Sequence, residues 1–423
     1  MIRNHSQNAY TSYDIQKKKP QIVALKINIL CYVVYRCTYL SKPKLILAKK
    51  CKKRSINLIQ NNGCEAVEIE SITQLLTGYD NAFFASFIVS ILIIASGRLH
   101  LRYSARGQGD LEVQKSHEDP TPRIGGLAIL AGCAYGWYEI ENFSTKYLGY
   151  ILISGVPVLI LGLLDDLYFY VRPLFRLIGA SISSICAIFL LDIWLTRVDI
   201  LFFDQLFLLL PFAILFTIFA TTGVAHAFNL IDGLNGLSLG ISLSTSFFLT
   251  VVAWMAADAL VVLLCLIFFL STLGLFLLNF PWGKIFLGDG GAYFQGHCLS
   301  WIAILLLARN PDITAWAILL IFFWPVVETL FSIYRRVYKK KSASAADREH
   351  FHQLVFDKMK TLKIFQKSSN FANSFSTLLI LPLFVVPNIL ALIVYNNIEY
   401  AAVTFFILLT LYVYAYHRVK ASF

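Results

Sequence analysis

Five short polar segments, each set between long apolar runs, hold the residues with chemistry to offer. The least ordinary is Asp165-Asp166, adjacent carboxylates that end an apolar run and are followed by Arg172, Pro173 and Arg176. Carboxylates at a helix C-terminus oppose the helix dipole, so they need a partner. A Mg²⁺ ion beside phosphate oxygens is one such partner, and ion pairs to Arg172 and Arg176 are the plain alternative. The third segment in chain order reads His226-Ala-Phe-Asn229-Leu-Ile-Asp232-Gly233-Leu-Asn235-Gly236, with polar side chains every three residues. That spacing shares a helical face. Glycines after Asp232 and Asn235 predict a helix break, where backbone N–H groups and side chains can surround a ligand.

The other three segments are read with the same two-sided test. In the fourth in chain order, Asn279-Phe-Pro281-Trp-Gly-Lys284-Ile-Phe286-Leu-Gly288-Asp289-Gly290-Gly291, a carboxylate opens an apolar run, which suits a simple helix cap or, with the glycines, a metal–phosphate site. In Pro120-Thr121-Pro122-Arg123-Ile124-Gly125-Gly126 the prolines stiffen the entry and the glycine pair admits close backbone approach, to a ligand or merely to a neighbouring helix. The last segment contains Asp347-Arg348-Glu349-His350-Phe351-His352-Gln353. Two histidines at i and i+2 point apart on a helix and together on a strand. Phosphate contact by Arg348, His350 and His352 suits them better than zinc.

The elements that must carry these segments are membrane helices. Apolar residues make up 57% of the 423 and charged residues 14%, with mean hydropathy +0.66, whereas soluble domains hold about a quarter charged residues. The apolar runs have the length, roughly 17 to 25 residues, needed to cross the hydrocarbon. Lipid offers backbone groups no partners, and the runs lack the alternation of a membrane barrel strand, so all are helical. Eleven spans are predicted: 81–97, 124–140, 147–164, 174–192, 206–224, 238–256, 258–278, 291–308, 313–334, 373–395 and 399–416. The fold class is therefore an all-α polytopic membrane bundle over residues 80–423, with no separate soluble domain. The eight cysteines are scattered singly without a CxxC pair, which reads as packing or inert surface.

Short cytoplasmic loops hold an excess of Lys and Arg. Loops after odd-numbered spans carry nearly all of them, from Arg98 to Lys367, while the alternate loops hold only Lys146, Arg197 and Arg309. Every polar segment described above then faces the cytoplasm. Residues 1–79 conflict with this scheme, since they carry thirteen basic residues yet fall on the outer side. They read either as a disordered or surface-binding basic extension or as an over-extended start.

The segments together resemble the polyprenyl-phosphate N-acetylhexosamine-1-phosphate transferases. Pro120-Thr121-Pro122-Arg123-x-Gly-Gly, Asp165-Asp166, Asn229-x-x-Asp232-Gly-x-Asn235-Gly, Phe286-Leu-Gly288-Asp289-Gly-Gly and Asp347-Arg-x-His350-x-His352 occur in order over residues 80–416. The resemblance implies transfer of a sugar 1-phosphate, by default N-acetylglucosamine 1-phosphate, from a UDP-amino sugar to undecaprenyl phosphate with release of UMP. It implies Mg²⁺, with Mn²⁺ as the alternative ion, and a plasma-membrane location with a cytoplasmic site. It also implies the lipid bilayer as surroundings, no nucleic-acid partner, and room for a homodimer. Asp289 is then the metal ligand, and Asp165, Asp166, Asp232 and His350 are catalytic. Thr121, Arg123, Asn229, Asn235, Arg348 and His352 bind substrate. Covalent and direct attack are both left open.

This chain departs from the family pattern at Asn235, where a second Asp is usual, at Gln353, where another His is usual, and at Glu328 in a Pro-x-x-Glu-Thr run where Asp is usual. A 6-deoxy amino sugar or UDP-MurNAc-pentapeptide is the rival donor. The rival class is a transporter of an anionic substrate, which would place its polar groups near the midplane rather than at loop edges on one side.

Overall fold

The computed structural model describes residues 79–104, 121–139, 145–167, 171–340, 349–365 and 368–422. Nearly all of the 1–79 extension and Arg348 lie outside the described residues. The described elements are helices: α1 (Asp80–Ala95), α2 (Gly97–Ser104), α3 (Gly126–Glu139), α4 (Thr145–Ser154), α5 (Val156–Leu167), α6 (Pro173–Leu191), a single-turn 3₁₀ segment (Asp204–Leu208), α7 (Leu210–Leu230), α8 (Leu237–Met255), α9 (Ala259–Asn279), α10 (Gly288–Arg309), α11 (Ala315–Ile321), α12 (Phe323–Tyr338), α13 (Phe351–Thr361), α14 (Ser369–Val394) and α15 (Ile398–Lys420).

Seven of these, α6 to α10 with α14 and α15, are long and apolar enough to cross a membrane. The number becomes nine if two bent pairs each form one span, α4 with α5 at 41° and α11 with α12 at 84°. The predicted count of eleven is not reached on this criterion. Segments α1 and α3 have 16 and 14 residues, about 24 and 21 Å of helix against about 30 Å of hydrocarbon. The predicted runs 147–164 and 313–334 are real but broken, at Gly155 and at Phe322.

Helix ends follow local chemistry. Proline opens α6, and Asp192 closes it in the left-handed conformation. Asp258 caps α9 by accepting the N–H of Val261, and Thr314, Ser368 and Asn397 do the same for α11, α14 and α15. The axis of the bundle is α10. Its apolar window is 89% buried within the protein, against 17% for α15. Because protein rather than lipid surrounds it, α10 tolerates Gln295, His297 and Ser300 along its length. Around it, α1, α3 and α9 pack through small residues: a Cβ on Gly132 would meet the carbonyl of Ala82 and the side chain of Ser271.

The two ends of the bundle differ. At one, Asp258 pairs with Arg309 at 2.7 Å, and Asp199 joins Arg197 at 2.6 Å while accepting the N–H of Ala315. These contacts fasten connections to each other. The opposite end gathers the five polar segments.

Candidate active site at the loop-bearing end of the bundle

Backbone pairing brings the first and fourth segments together. Phe286 N–H donates to the Pro122 carbonyl at 2.8 Å, and the N–H groups of Gly125 and Gly126 donate to the carbonyls of Phe286 and Leu287 at 2.9 Å. The join is tight enough to require glycine. Gly288 has φ +77°, and a Cβ there would overlap the carbonyl oxygen of Arg123 and crowd Asp166 Oδ2.

The acid pair at the end of α5 splits its duties. Asp166, 5% exposed, accepts the backbone N–H groups of Asp289 and Gly290 at 2.9 and 3.0 Å, so it occupies two of the unpaired donors that open α10. Asp165 Oδ1 accepts the N–H of Val171, which folds the loop back on itself. Its Oδ2 accepts from Arg176 Nη1 at 2.9 Å, and Asp289 Oδ2 accepts from the same nitrogen at 3.0 Å. Two carboxylates from different helices therefore converge on one cationic atom, with all three side chains about one-fifth exposed.

In the third segment α7 continues through Asn229 and stops at Leu230, and the turn runs to Gly236 at φ +73°. Asp232 is partly buried in that turn. Burial, with the nearby Asp289 carboxylate adding to it, pushes its carboxyl up to about 7 against the opposing pull of Arg123. Asn235 is 2% exposed and fully engaged by protein: its N–H donates to Asn373 Oδ1, its carbonyl accepts from Thr377, and its amide faces the Pro281 carbonyl and Ser374. In this structure Asn235 fastens the turn to α14 and to the fourth segment. Asn279 adds to that fastening, accepting the N–H of Gly236 and donating to the Ile285 carbonyl.

The fifth segment reaches the third through His352, whose ring lies where a Cβ on Gly233 would fall. His350 is extended at the start of α13, and its ring stacks within 10° of the His352 ring at 5.7 Å. The sequence alternatives of strand and helix are thus both used, one residue in each conformation. Burial, and then His350 beside it, lower His352 to about 4, so this ring is neutral at neutral pH. Its Nδ1 is buried without a hydrogen-bond partner among the described residues. Thr121 is buried beside Arg123 at the first segment.

The residues present fit a hard divalent cation. Mg²⁺ generally takes one or two carboxylates and completes its shell with water and substrate phosphate oxygens. Asp165 and Asp289 supply such a pair, already drawn around one positive centre. Three residues emerge that the sequence motifs did not single out as site residues. Arg176 bridges the two acids. His226 meets Tyr293 edge to face at 4.9 Å, one turn beyond Asp289, and His226 Nε2 is buried without a partner among the described residues. Arg176 was legible as one of the two cations, with Arg172, that follow the acid pair. Tyr293 carried no signal, since an aromatic in an apolar helix is ordinary.

Residues 148–307, which hold the acid pair, the turn and Asp289, match the model of glycosyl transferase family 4. A probable undecaprenyl-phosphate N-acetylglucosaminyl 1-phosphate transferase of Bacillus subtilis is 31% identical over 276 residues, covering 63% of this chain and 75% of that one. The undecaprenyl-phosphate alpha-N-acetylglucosaminyl 1-phosphate transferases of Escherichia coli O157:H7 and Yersinia pestis are 26% and 25% identical, each over 57% of this chain and 67% of theirs. With that identity to the Bacillus relative and that coverage, the chain belongs to glycosyl transferase family 4.

Proposed function

We propose that this protein transfers N-acetylglucosamine 1-phosphate from UDP-N-acetylglucosamine to undecaprenyl phosphate. UMP is released, and the lipid product starts a cell-envelope glycan. The observation that carries the reading is the convergence of Asp165 and Asp289 on Arg176 where five segments meet, in a chain whose relatives bear this activity in their names. The basic loops support a cytoplasmic placement of that end, at the plasma membrane.

An oxygen of the carrier phosphate attacks the phosphorus that bears the sugar. The bond from that phosphorus to the bridging oxygen breaks, and the oxygen leaves on UMP. Catalysis of such a transfer is chiefly positioning and charge stabilisation. Asp289 and Asp165 would hold the ion, which when bound would neutralise charge on the diphosphate. Asp165 takes any proton still on the attacking phosphate. Asp166 keeps the start of α10, and so Asp289, in place. Arg176 relieves repulsion between the two acids and offers its charge to a phosphate oxygen. Asn229 and Asp232 orient the donor, and His350, His352 and Arg348 contact its diphosphate. Thr121 and Arg123 line the first segment.

The test is an incubation of the purified protein with undecaprenyl phosphate, Mg²⁺ and a panel of UDP-amino sugars, with UMP and lipid product followed together. N-acetylglucosamine should give both. Product only with a 6-deoxy donor or UDP-MurNAc-pentapeptide would change the sugar, and no lipid product with any donor would remove the reaction. Omitting Mg²⁺ and restoring it, or Mn²⁺, tests the ion.

A further inference from the structure

Glu328 lies in α12, six residues past the break at Phe322, and is completely buried. Its carboxylate gathers donors from two other helices. Oε1 accepts from His350 Nδ1 at 3.1 Å and from the backbone N–H of Phe351 at 3.0 Å, and Oε2 accepts from Tyr412 Oη. Among the described residues its ion-pair partner is His350. Arg335, two helical turns further on, lies over the rings of Phe331 and Tyr416 and 3.6 Å from Glu349.

A buried carboxylate is expensive unless it is paired and its lone pairs are satisfied. If Glu328 only capped α13 and tied it to α15, an uncharged acceptor would serve, without the desolvation of a charge. The negative charge makes sense if its partner is the imidazole. We infer that Glu328 is a positioning residue for His350: it fixes Nδ1 as the donor and sets the angle of the ring. Nε2 is thereby left as the atom for the donor's diphosphate. The same pairing orients metal-bound and catalytic histidines in general, where the second nitrogen's partner sets tautomer and ring angle. Surrounding contacts keep the pair in register. Glu349, next to His350, accepts from Lys339 just past α12 and from Lys420 of α15 at 2.7 and 2.6 Å, and Tyr416 donates to the Glu349 carbonyl. This inference rests on the proposed transfer reaction, in which His350 meets the diphosphate.

The test compares Glu328→Gln with Glu328→Asp in the purified full chain, alone and combined with His350→Gln. Gln keeps the length and the acceptor toward His350 and loses the charge, whereas Asp keeps the charge and is one methylene shorter. The expected order of kcat is wild type, then Asp, then Gln, with Gln down on the order of 10-fold or more and KM for the UDP-sugar within about 3-fold. On the His350→Gln background, either Glu328 change should cost less than about 2-fold, because the group it acts through is gone. A purely structural strap gives the reverse order, Gln above Asp, and full losses on either background, and that result overturns the inference. Should Glu328→Gln fail to purify as a folded protein, the Glu328→Asp and His350→Gln cycle still decides. Inactive wild type would instead indict the reaction itself.

Discussion

At the residue scale, the two acids that share Arg176 are separable from the acid that does not. Asp289 offers only its Oδ2 to Arg176, while its backbone N–H is held by Asp166 whatever its side chain is. Asp289→Asn should therefore leave the fold intact and lower UMP release on the order of 10³-fold, checked by turnover alongside gel filtration. Near-normal turnover would remove Asp289 as the ion's ligand. Asp232 makes a prediction about pH. Its folded carboxyl sits at about 7, above the ordinary 3.8, so the folded chain binds the extra proton between those values. The stability this contributes is fully present below the ordinary value and is lost as pH rises through about 7. In ion-free buffer, Asp232→Asn should melt above wild type near about pH 8, and the gap should narrow toward about pH 5. A gap that stays constant over that range would show that the carboxyl does not titrate there.

At the element scale, the site depends on how α10 begins. The first N–H groups of a helix lack partners within it, and here Asp166 takes two of them from 123 residues earlier in the chain. Asp166→Asn offers one acceptor where two are needed and turns an amide N–H toward a donor. It should destabilise by about 1–3 kcal/mol and lose activity together with melting temperature, unlike Asp289→Asn, which should lose activity alone. Equal melting of the two variants would mean that Asp166 is not the clasp. This division was not legible in the sequence. Asp165 and Asp166 stood out because charge inside an apolar run is costly, but nothing in their spacing says which faces Arg176 and which faces the α10 N-terminus. The same holds for the helices. Apolar runs announced the spans because lipid forces every backbone group into a helix. Hydropathy carries no direction, however, so the bends at Gly155 and Phe322 went unseen, as did the short reach of α1 and α3. Asn235 read as a ligand group for the same reason: a polar side chain in a glycine turn looks alike whether it faces substrate or, as here, α14.

At the scale of the whole molecule, the chain has two polar ends with different characters. One is fastened by contacts that join connection to connection: Asp258 pairs with Arg309, Arg197 donates to the carbonyls of Pro311 and Ile313, and Asp199 accepts the N–H of Ala315. The other keeps two carboxylates on a shared arginine and a turn carboxyl poised near neutrality. A nucleotide-sugar transfer needs the second end in the compartment that holds the nucleotide, and the excess of basic residues in the loops on that side agrees with the cytoplasm. Exposed positions at each end can report this directly. Lys284 lies in the fourth segment and Asp312 in the connection between α10 and α11, and both are exposed. In a background with the native cysteines replaced, Lys284→Cys should be labelled by a membrane-impermeant maleimide only after cells are broken open, and Asp312→Cys in intact cells whose outer barrier admits the reagent. The reverse pattern would put the acid cluster on the outer face, where UDP-sugars are not made, and would leave the transfer reading without its donor.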